Sequence, residues 1–249
     1  MSARVYLGSF VFYLGYFCAL LVSGLVFVPI SLLLRGSQRQ WLITRYNAFV
    51  LFWLQITCGI RYQIEGLDKI PQQQACVFLS NHQSEWETIY FQLVTRPLCT
   101  VLKKELLRIP VFGWGLAALN PIAVDRSQRT NAMKQVLMQG KARLQAGYSV
   151  LIFPEGTRLA PQQEGRLNKG GAALAVSLGV PVIPVVHNAG EHWLTQSWLK
   201  TPGCIRVRFG TPIATKDRKT EEVHQEVTAW MQTHKAQVSD QYVQTATQD

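Results

Sequence analysis

The chain has 249 residues, 48% of them apolar and only 16% charged, with a formal charge of +10. Its length fits one globular domain with some chain left over, and its composition calls for a large core or a membrane-embedded part. The positive balance points to nucleic acid, anionic lipid or a phosphorylated substrate. Nucleic acid is set aside, because there is no zinc-ligand spacing, no aromatic RNA-binding signature and no long basic helix. Cys18, Cys58, Cys76, Cys99 and Cys204 are odd in number and scattered. They read as reduced thiols of a cytosol-facing protein rather than a disulfide framework or a metal site.

Residues 5–34 contain no charged side chain. As a straight helix they would extend about 45 Å, against a hydrocarbon core of roughly 30 Å. Gly8, Gly15, Gly24 and Pro29 allow bends. The run is too long for the core of a signal peptide. Arg35, Arg39 and Arg45 follow it, and only Arg4 precedes it, so the positive-inside rule places the following domain in the cytoplasm. A second apolar run, residues 46–60, is short for a full span. It can lie in the interface, form a hairpin with the first run, or pack as a core helix; a membrane-embedded pair of helices is the favoured reading.

From residue 61 the pattern changes. Strands are expected at 60–64, 75–80, 99–102, 122–124, 149–153, 182–186 and 205–209, with helices at 84–94, 111–119, 131–145 and 169–178. This alternation predicts an α/β fold with a mostly parallel sheet flanked by helices. Residues 221–235 are amphipathic, with Val223, Val227, Trp230 and Met231 on one face. Residues 236–249 are polar and Gln/Thr-rich, which predicts a frayed tail. The expected organisation is therefore N-terminal membrane-anchoring helices at 1–60, a catalytic domain at 61–235 and the tail.

The strand at 75–80 runs into Asn81-His82-Gln83-Ser84-Glu85-Trp86-Glu87-Thr88. A histidine at a strand-to-helix corner can take a proton near neutral pH, and a carboxylate can hold its ring in one tautomer. Positions five apart on a helix lie about 140° apart. His82 and Glu87 meet only if Ser84 caps the helix and His82 sits in the loop before it. Ser84-Glu85-Trp86-Glu87 also fits a capping box, in which Glu87 only caps. The pattern leaves both readings open. No matched Ser or Cys nucleophile motif accompanies the histidine, which favours direct attack by a substrate hydroxyl.

The strand at 149–153 runs into Pro154-Glu155-Gly156-Thr157-Arg158, with Arg166 and Lys169 beyond it. Gly156 permits a tight backbone and Arg158 can grip an oxyanion with two hydrogen bonds. The strand at 122–124 ends in Asp125-Arg126. Three strand ends bearing His, Arg and Arg would converge on one rim of a parallel sheet, as a site for an anionic substrate. The alternative is solvated arginines, or arginines paired with Asp125 and Glu155. Residues 103–114 mix basic and apolar side chains. They suit a surface helix with an apolar underside or a surface resting among lipid headgroups.

Taken together, these blocks resemble the lysophospholipid acyltransferase family, and within it the bacterial 1-acyl-sn-glycerol-3-phosphate acyltransferases. Asn81 to Glu87 resembles the first family block, Ile122 to Arg126 the second, Phe153 to Arg158 the third and most specific, and Val180-Pro181-Val182-Ile183-Pro184 the fourth. The resemblance covers roughly residues 60–212. It implies His82 and Glu87 as catalytic residues, and Arg126, Glu155, Gly156, Thr157, Arg158 and Lys169 as substrate-binding residues. One departure is Glu87, where the family usually has Asp. The implied reaction moves a fatty acyl group from acyl-CoA or acyl-carrier protein to the sn-2 hydroxyl of lysophosphatidic acid, with no metal and no cofactor. The implied location is the cytoplasmic (inner) membrane, with membrane lipids as partners. Alternatives are another lyso-lipid acceptor, such as a headgroup lysophospholipid or a lyso-ornithine lipid, and a non-enzymatic lipid-binding protein.

Overall fold

The computed structural model describes residues 2–125 and 129–240. The first apolar run forms one helical stretch, Ala3–Ser31, long and apolar enough to cross a membrane. It comprises α1 (Ala3–Val22), a π-helical turn (Ser23–Phe27) and α2 (Val28–Ser31). After α3 (Gly36–Ile43), the second run becomes α4 (Arg45–Cys58). This helix ends at Gly59, whose φ of 68° is the left-handed stop that favours glycine.

Helices α1 and α4 form an antiparallel hairpin. Gly8 lies against Thr57, Gly15 against Trp53, and the Tyr16 ring sits 5.8 Å from that of Tyr46. A Cβ on Gly8 would fall 2.4 Å from the Thr57 carbonyl oxygen, and one on Gly15 2.2 Å from Trp53 Nε1. Only glycine admits that approach. Trp53 Nε1 donates to the Val11 carbonyl at 3.2 Å. Leu7, Phe10, Leu14, Phe17, Phe52 and Ile56 remain exposed. Both apolar runs are helical, and among the described residues only the Ala3–Ser31 stretch reaches spanning length.

The α/β part contains β1 (Ile60–Glu65), β2 (Val77–Ser80), α5 (Trp86–Val94), β3 (Leu98–Lys103), α6 (Phe112–Ala118) and β4 (Ile122–Val124). It continues with α7 (Arg129–Gln145), β5 (Ser149–Ile152), α8 (Gly170–Val176), β6 (Val182–His187), α9 (Ala189–His192), β7 (Gly203–Phe209) and α10 (Thr220–Val238). The strands form one seven-stranded, mostly parallel sheet in the order β1-β7-β6-β2-β5-β3-β4. The β1–β7, β2–β6 and β3–β4 pairs are parallel, whereas β6–β7 is antiparallel. That reversal falls where the strand–helix alternation lapses, since only the four-residue α9 separates β6 from β7.

Each expected strand is present. Strands β2, β5 and β6 are buried along their whole length, as continuous apolar runs between two covered faces should be. Helix α10 extends three residues beyond the expected boundary at 235. Val238 is buried, Asp240 pairs with Arg206, and Gln237 accepts from Arg208, so the polar composition there does not produce fraying. The rest of the expected tail, 241–249, lies outside the described residues.

The chain gathers into two compact units, neither continuous in sequence: residues 1–59 with 88–150, and residues 60–87 with 151–249. The first contains the helical hairpin and β3 and β4. The second contains β1, β2, β6, β7 and the candidate site.

Candidate active site

Strand β2 delivers the chain to Asn81 and His82, and the corner is held from several sides. The Asn81 side chain donates to the His187 carbonyl at 2.9 Å and accepts the His187 N–H at 3.0 Å. The His187 ring Nδ1 accepts the Ala189 N–H at 3.2 Å, so Nε2 carries the proton and donates to the Asn81 carbonyl at 2.8 Å. Gln83 accepts the Gly190 N–H through Oε1 at 3.1 Å, and its carbonyl accepts from Thr195 Oγ1 at 2.9 Å. Asn81, Gln83 and His187 are buried and paired, which fixes the loop where a mobile one would blur the geometry.

Glu87 is fully buried. Its Oε1 lies 2.8 Å from His82 Nδ1 and accepts the Gln83 and Ser84 N–H groups, each at 2.8 Å. Its Oε2 accepts from Ser84 Oγ at 2.7 Å, while Ser84 Oγ accepts the Trp86 N–H at 3.0 Å. The two readings of Glu87 are therefore not rivals: one carboxylate caps the start of α5 and holds the histidine. His82 stands in the loop before the helix, which resolves the 140° problem.

Burial alone would push the Glu87 carboxyl up. The charges of His187 and His82 and the hydrogen bonds from His82 and Ser84 outweigh it and hold the group down to about 2. Burial pushes His187 toward its neutral form, so the durable part of this effect is the set of donors around the carboxylate. An ionised Glu87 can only accept. His82 Nδ1 must then carry the proton, which leaves a lone pair on Nε2. The ring stacks on Phe153 with centroids 4.1 Å apart, and the side chain remains 14% exposed.

The loop after β5 closes on the same corner. Glu155 Oε2 accepts the His82 N–H at 2.7 Å, and the Leu159 N–H donates to the His82 carbonyl at 2.9 Å. Burial pushes the Glu155 carboxyl up, against the pull of that N–H. Gly156 turns the chain at φ +74°, a conformation that side chains other than glycine's rarely adopt, and Thr157 is exposed beside it. Arg158 reaches back to Glu85 Oε1 at 2.7 Å, in a pair about one-third exposed on each side. The arginine therefore pairs with Glu85, not with Glu155.

The six residues expected to bind substrate fall into separate groups. Glu155, Gly156, Thr157 and Arg158 gather at His82. Lys169 pairs instead with Glu221 on α10. It lines a cavity of about 630 Å3 with Asn81, Glu155, Asn168, Met231 and Lys235. Arg126 lies outside the described residues. Sequence reasoning passed over His187 and the clamping role of Asn81. The only available signal was a histidine ending a strand of wholly buried type, which by itself reads as core.

A family model described as Acyltransferase matches residues 61–188. Over 206 residues the chain is 43% identical to a 1-acyl-sn-glycerol-3-phosphate acyltransferase of Pseudomonas aeruginosa, covering 82% of this chain and 80% of that protein. It is 27% identical over 229 residues to a Saccharomyces cerevisiae protein of the same name, covering 87% and 74%. The crystal structure of the Thermotoga maritima 1-acyl-sn-glycerophosphate (LPA) acyltransferase PlsC superposes with a TM-score of 0.73, covering 95% and 98% of the two chains at 24% identity, and so shares the fold. On the family-model match over residues 61–188 and the 43% identity across most of both chains, the chain belongs to the acyltransferase family.

Proposed function

We propose that the protein acylates the sn-2 hydroxyl of lysophosphatidic acid to give phosphatidic acid, drawing the acyl group from a thioester. The observation that carries this reading is the His82 Nδ1–Glu87 distance of 2.8 Å, with Nε2 left as a base at a partly open corner. His82 Nε2 takes the hydroxyl proton as the substrate oxygen attacks the thioester carbonyl. Glu87 stabilises the resulting imidazolium. When the tetrahedral species collapses, the carbon–sulfur bond breaks and the departing sulfur takes the proton from His82. The base therefore returns to its starting form with no covalent enzyme intermediate.

The negative phosphate of the acceptor belongs on Arg158. Its guanidinium is held near His82 by an exposed pairing with Glu85, and exposed pairs of this kind cost little to exchange. Arg126 joins it on the strength of the family resemblance. Glu155 acts by fixing the His82 backbone, and an anion is a poor partner for phosphate. Lys169, in a still more exposed pair with Glu221, can exchange in the same way, and it lines a cavity together with Glu155. The donor is acyl-CoA or acyl-carrier protein. The Ala3–Ser31 helix supports membrane attachment, and the arginines that follow it support a cytoplasmic face at the inner membrane.

Purified protein incubated with labelled acyl-CoA and lysophosphatidic acid should form labelled phosphatidic acid, with acceptors bearing a headgroup on the phosphate used less well. Equal use of a headgroup lysophospholipid would overturn the acceptor assignment. No product from any lyso-lipid, with either donor, would overturn the enzyme reading.

A further inference from the structure

Residues 1–64 contain no Asp or Glu, and none occurs between 88 and 104. Both stretches contribute to the unit formed by 1–59 and 88–150. Gln40, buried in α3, joins them. Its Nε2 donates to Gln92 Oε1 at 3.0 Å and to the Leu98 carbonyl, and its Oε1 accepts the Leu98 N–H at 2.8 Å. Arg96, two residues before Leu98, is thereby brought to the corner where α4 begins. There the Arg45 guanidinium lies 4.6 Å from the Trp41 ring centre. The two charges sense each other: burial first, and then the charge of Arg45, pushes the Arg96 guanidinium down.

Among the described residues, neither arginine has an ion-pair partner. The Nε atom of each is buried without a hydrogen bond, and so is that of Arg143, whose charge acts on Cys99 beside Leu98. Like charges held together in a partly desolvated corner repel, and an oxyanion with several acceptor oxygens relieves both the repulsion and the empty donors.

The surroundings indicate what carries that oxyanion. Leu32, Leu33, Trp41 and Phe49 are exposed, and Arg39 Nε ties α3 to the end of α2 through the Ser31 carbonyl at 3.0 Å. A free phosphate has no use for an apolar surface of this kind. A phosphate carried on acyl chains covers it, and an aromatic ring beside it suits headgroup depth.

We propose that Arg45 and Arg96, flanked by Trp41, form a site for the headgroup phosphate of an anionic phospholipid. The lipid held there is a docking lipid rather than a substrate, and neither arginine belongs to the His82–Glu87 site. This rests on the reading of the Ala3–Ser31 helix as membrane-inserted.

The test is co-sedimentation of the full chain with vesicles of phosphatidylcholine alone, and of phosphatidylcholine mixed with phosphatidylglycerol. A basic side chain at an anionic surface contributes roughly fivefold in binding, so the pair should supply about thirtyfold. The double variant Arg45→Gln/Arg96→Gln should lose at least about tenfold of the preference for anionic vesicles. It should keep its binding to phosphatidylcholine and its acyl transfer in neutral-detergent micelles. The corresponding Lys pair should keep most of the preference. A Gln pair as selective as the parent overturns the site. Release of the parent by millimolar inorganic phosphate, but not by chloride of equal ionic strength, overturns the lipid in favour of a free anion. If the parent binds neither vesicle, the membrane reading falls and the site with it. Should the Gln pair lose activity in micelles, the single variant Arg45→Gln, with an expected loss of about fivefold, decides the matter.

Discussion

The two units differ first in charge. The unit of residues 1–59 and 88–150 has thirteen Lys and Arg against only Glu105 and Asp125, a net +11; the other has twelve against thirteen acids, a net −1. The whole positive balance of the protein thus resides in the unit that also carries the exposed apolar helices. The unit with His82 is nearly neutral and spends its polar groups on one another. Asn81, Gln83, Ser84, Glu87 and His187 are all buried there, and all are hydrogen bonded. A proton-transfer site needs fixed partners in a low-dielectric setting. A surface meant for an anionic interface needs charges left unmatched by the protein itself.

The sharpest way to separate the units is at His82. General-base catalysis typically supplies about 10²–10⁴-fold. His82→Ala should lower turnover by that factor while leaving vesicle binding intact, measured on the same preparation by acyl transfer and co-sedimentation. If turnover falls only a few fold in a folded variant, His82 is not the base.

Glu87 tests whether the neutral unit depends on one internal anion. Its carboxyl is lowered from 4.5 to about 2 in the folded protein, so its contribution is present above about pH 4.5 and is lost as pH falls toward 2. The ionised carboxylate, held by its N–H and hydroxyl donors, therefore supports the folded state, and protonation removes that support. Acid unfolding in neutral detergent should be shallower over that interval for Glu87→Gln than for the parent. Gln keeps an acceptor for the Gln83 and Ser84 N–H groups but cannot stabilise an imidazolium, so turnover should also fall sharply. Parallel acid curves together with parental turnover would remove the anion from both roles.

Arg158 probes how the nearly neutral unit recruits an anionic substrate. Losing a charged hydrogen bond of about 1.5–3 kcal/mol should raise KM for lysophosphatidic acid roughly ten- to hundredfold with Arg158→Ala, and change KM for the thioester little. Loss of the exposed Glu85 pair should cost stability little. An unchanged acceptor KM would move the phosphate elsewhere.

The smallest effect belongs to the charged unit. Gly15→Leu forces a side chain into the Trp53 indole, and overpacking of this kind costs about 1–3 kcal/mol. Thermal unfolding in detergent should shift downward by a few degrees, with His82 chemistry retained at low temperature. A thermal midpoint equal to the parent's would show that α1 and α4 do not need this approach.

Much of this architecture could be read from local pattern. Buried runs mark the strands at 77–80, 149–152 and 182–187, and the Ala3–Ser31 helix follows from an uncharged stretch longer than any core helix needs. His82 and Glu87 were legible as a pair because a helix start folds residues five apart onto each other. That geometry is local, and residue types alone encode it. The partners that hold them come from far along the chain: His187 is 106 positions from Asn81, and Glu155 is 73 positions from His82. No periodicity links such positions. Nor does composition reveal that Arg158 turns to Glu85, that Lys169 turns to Glu221, or that Arg45 and Arg96 share a corner with no acid partner among the described residues. Sequence determines which segments bury their faces, since burial follows local hydrophobic pattern. Only the tertiary structure decides which polar groups meet, because each buried donor takes whichever acceptor the packed strands bring within about 3 Å.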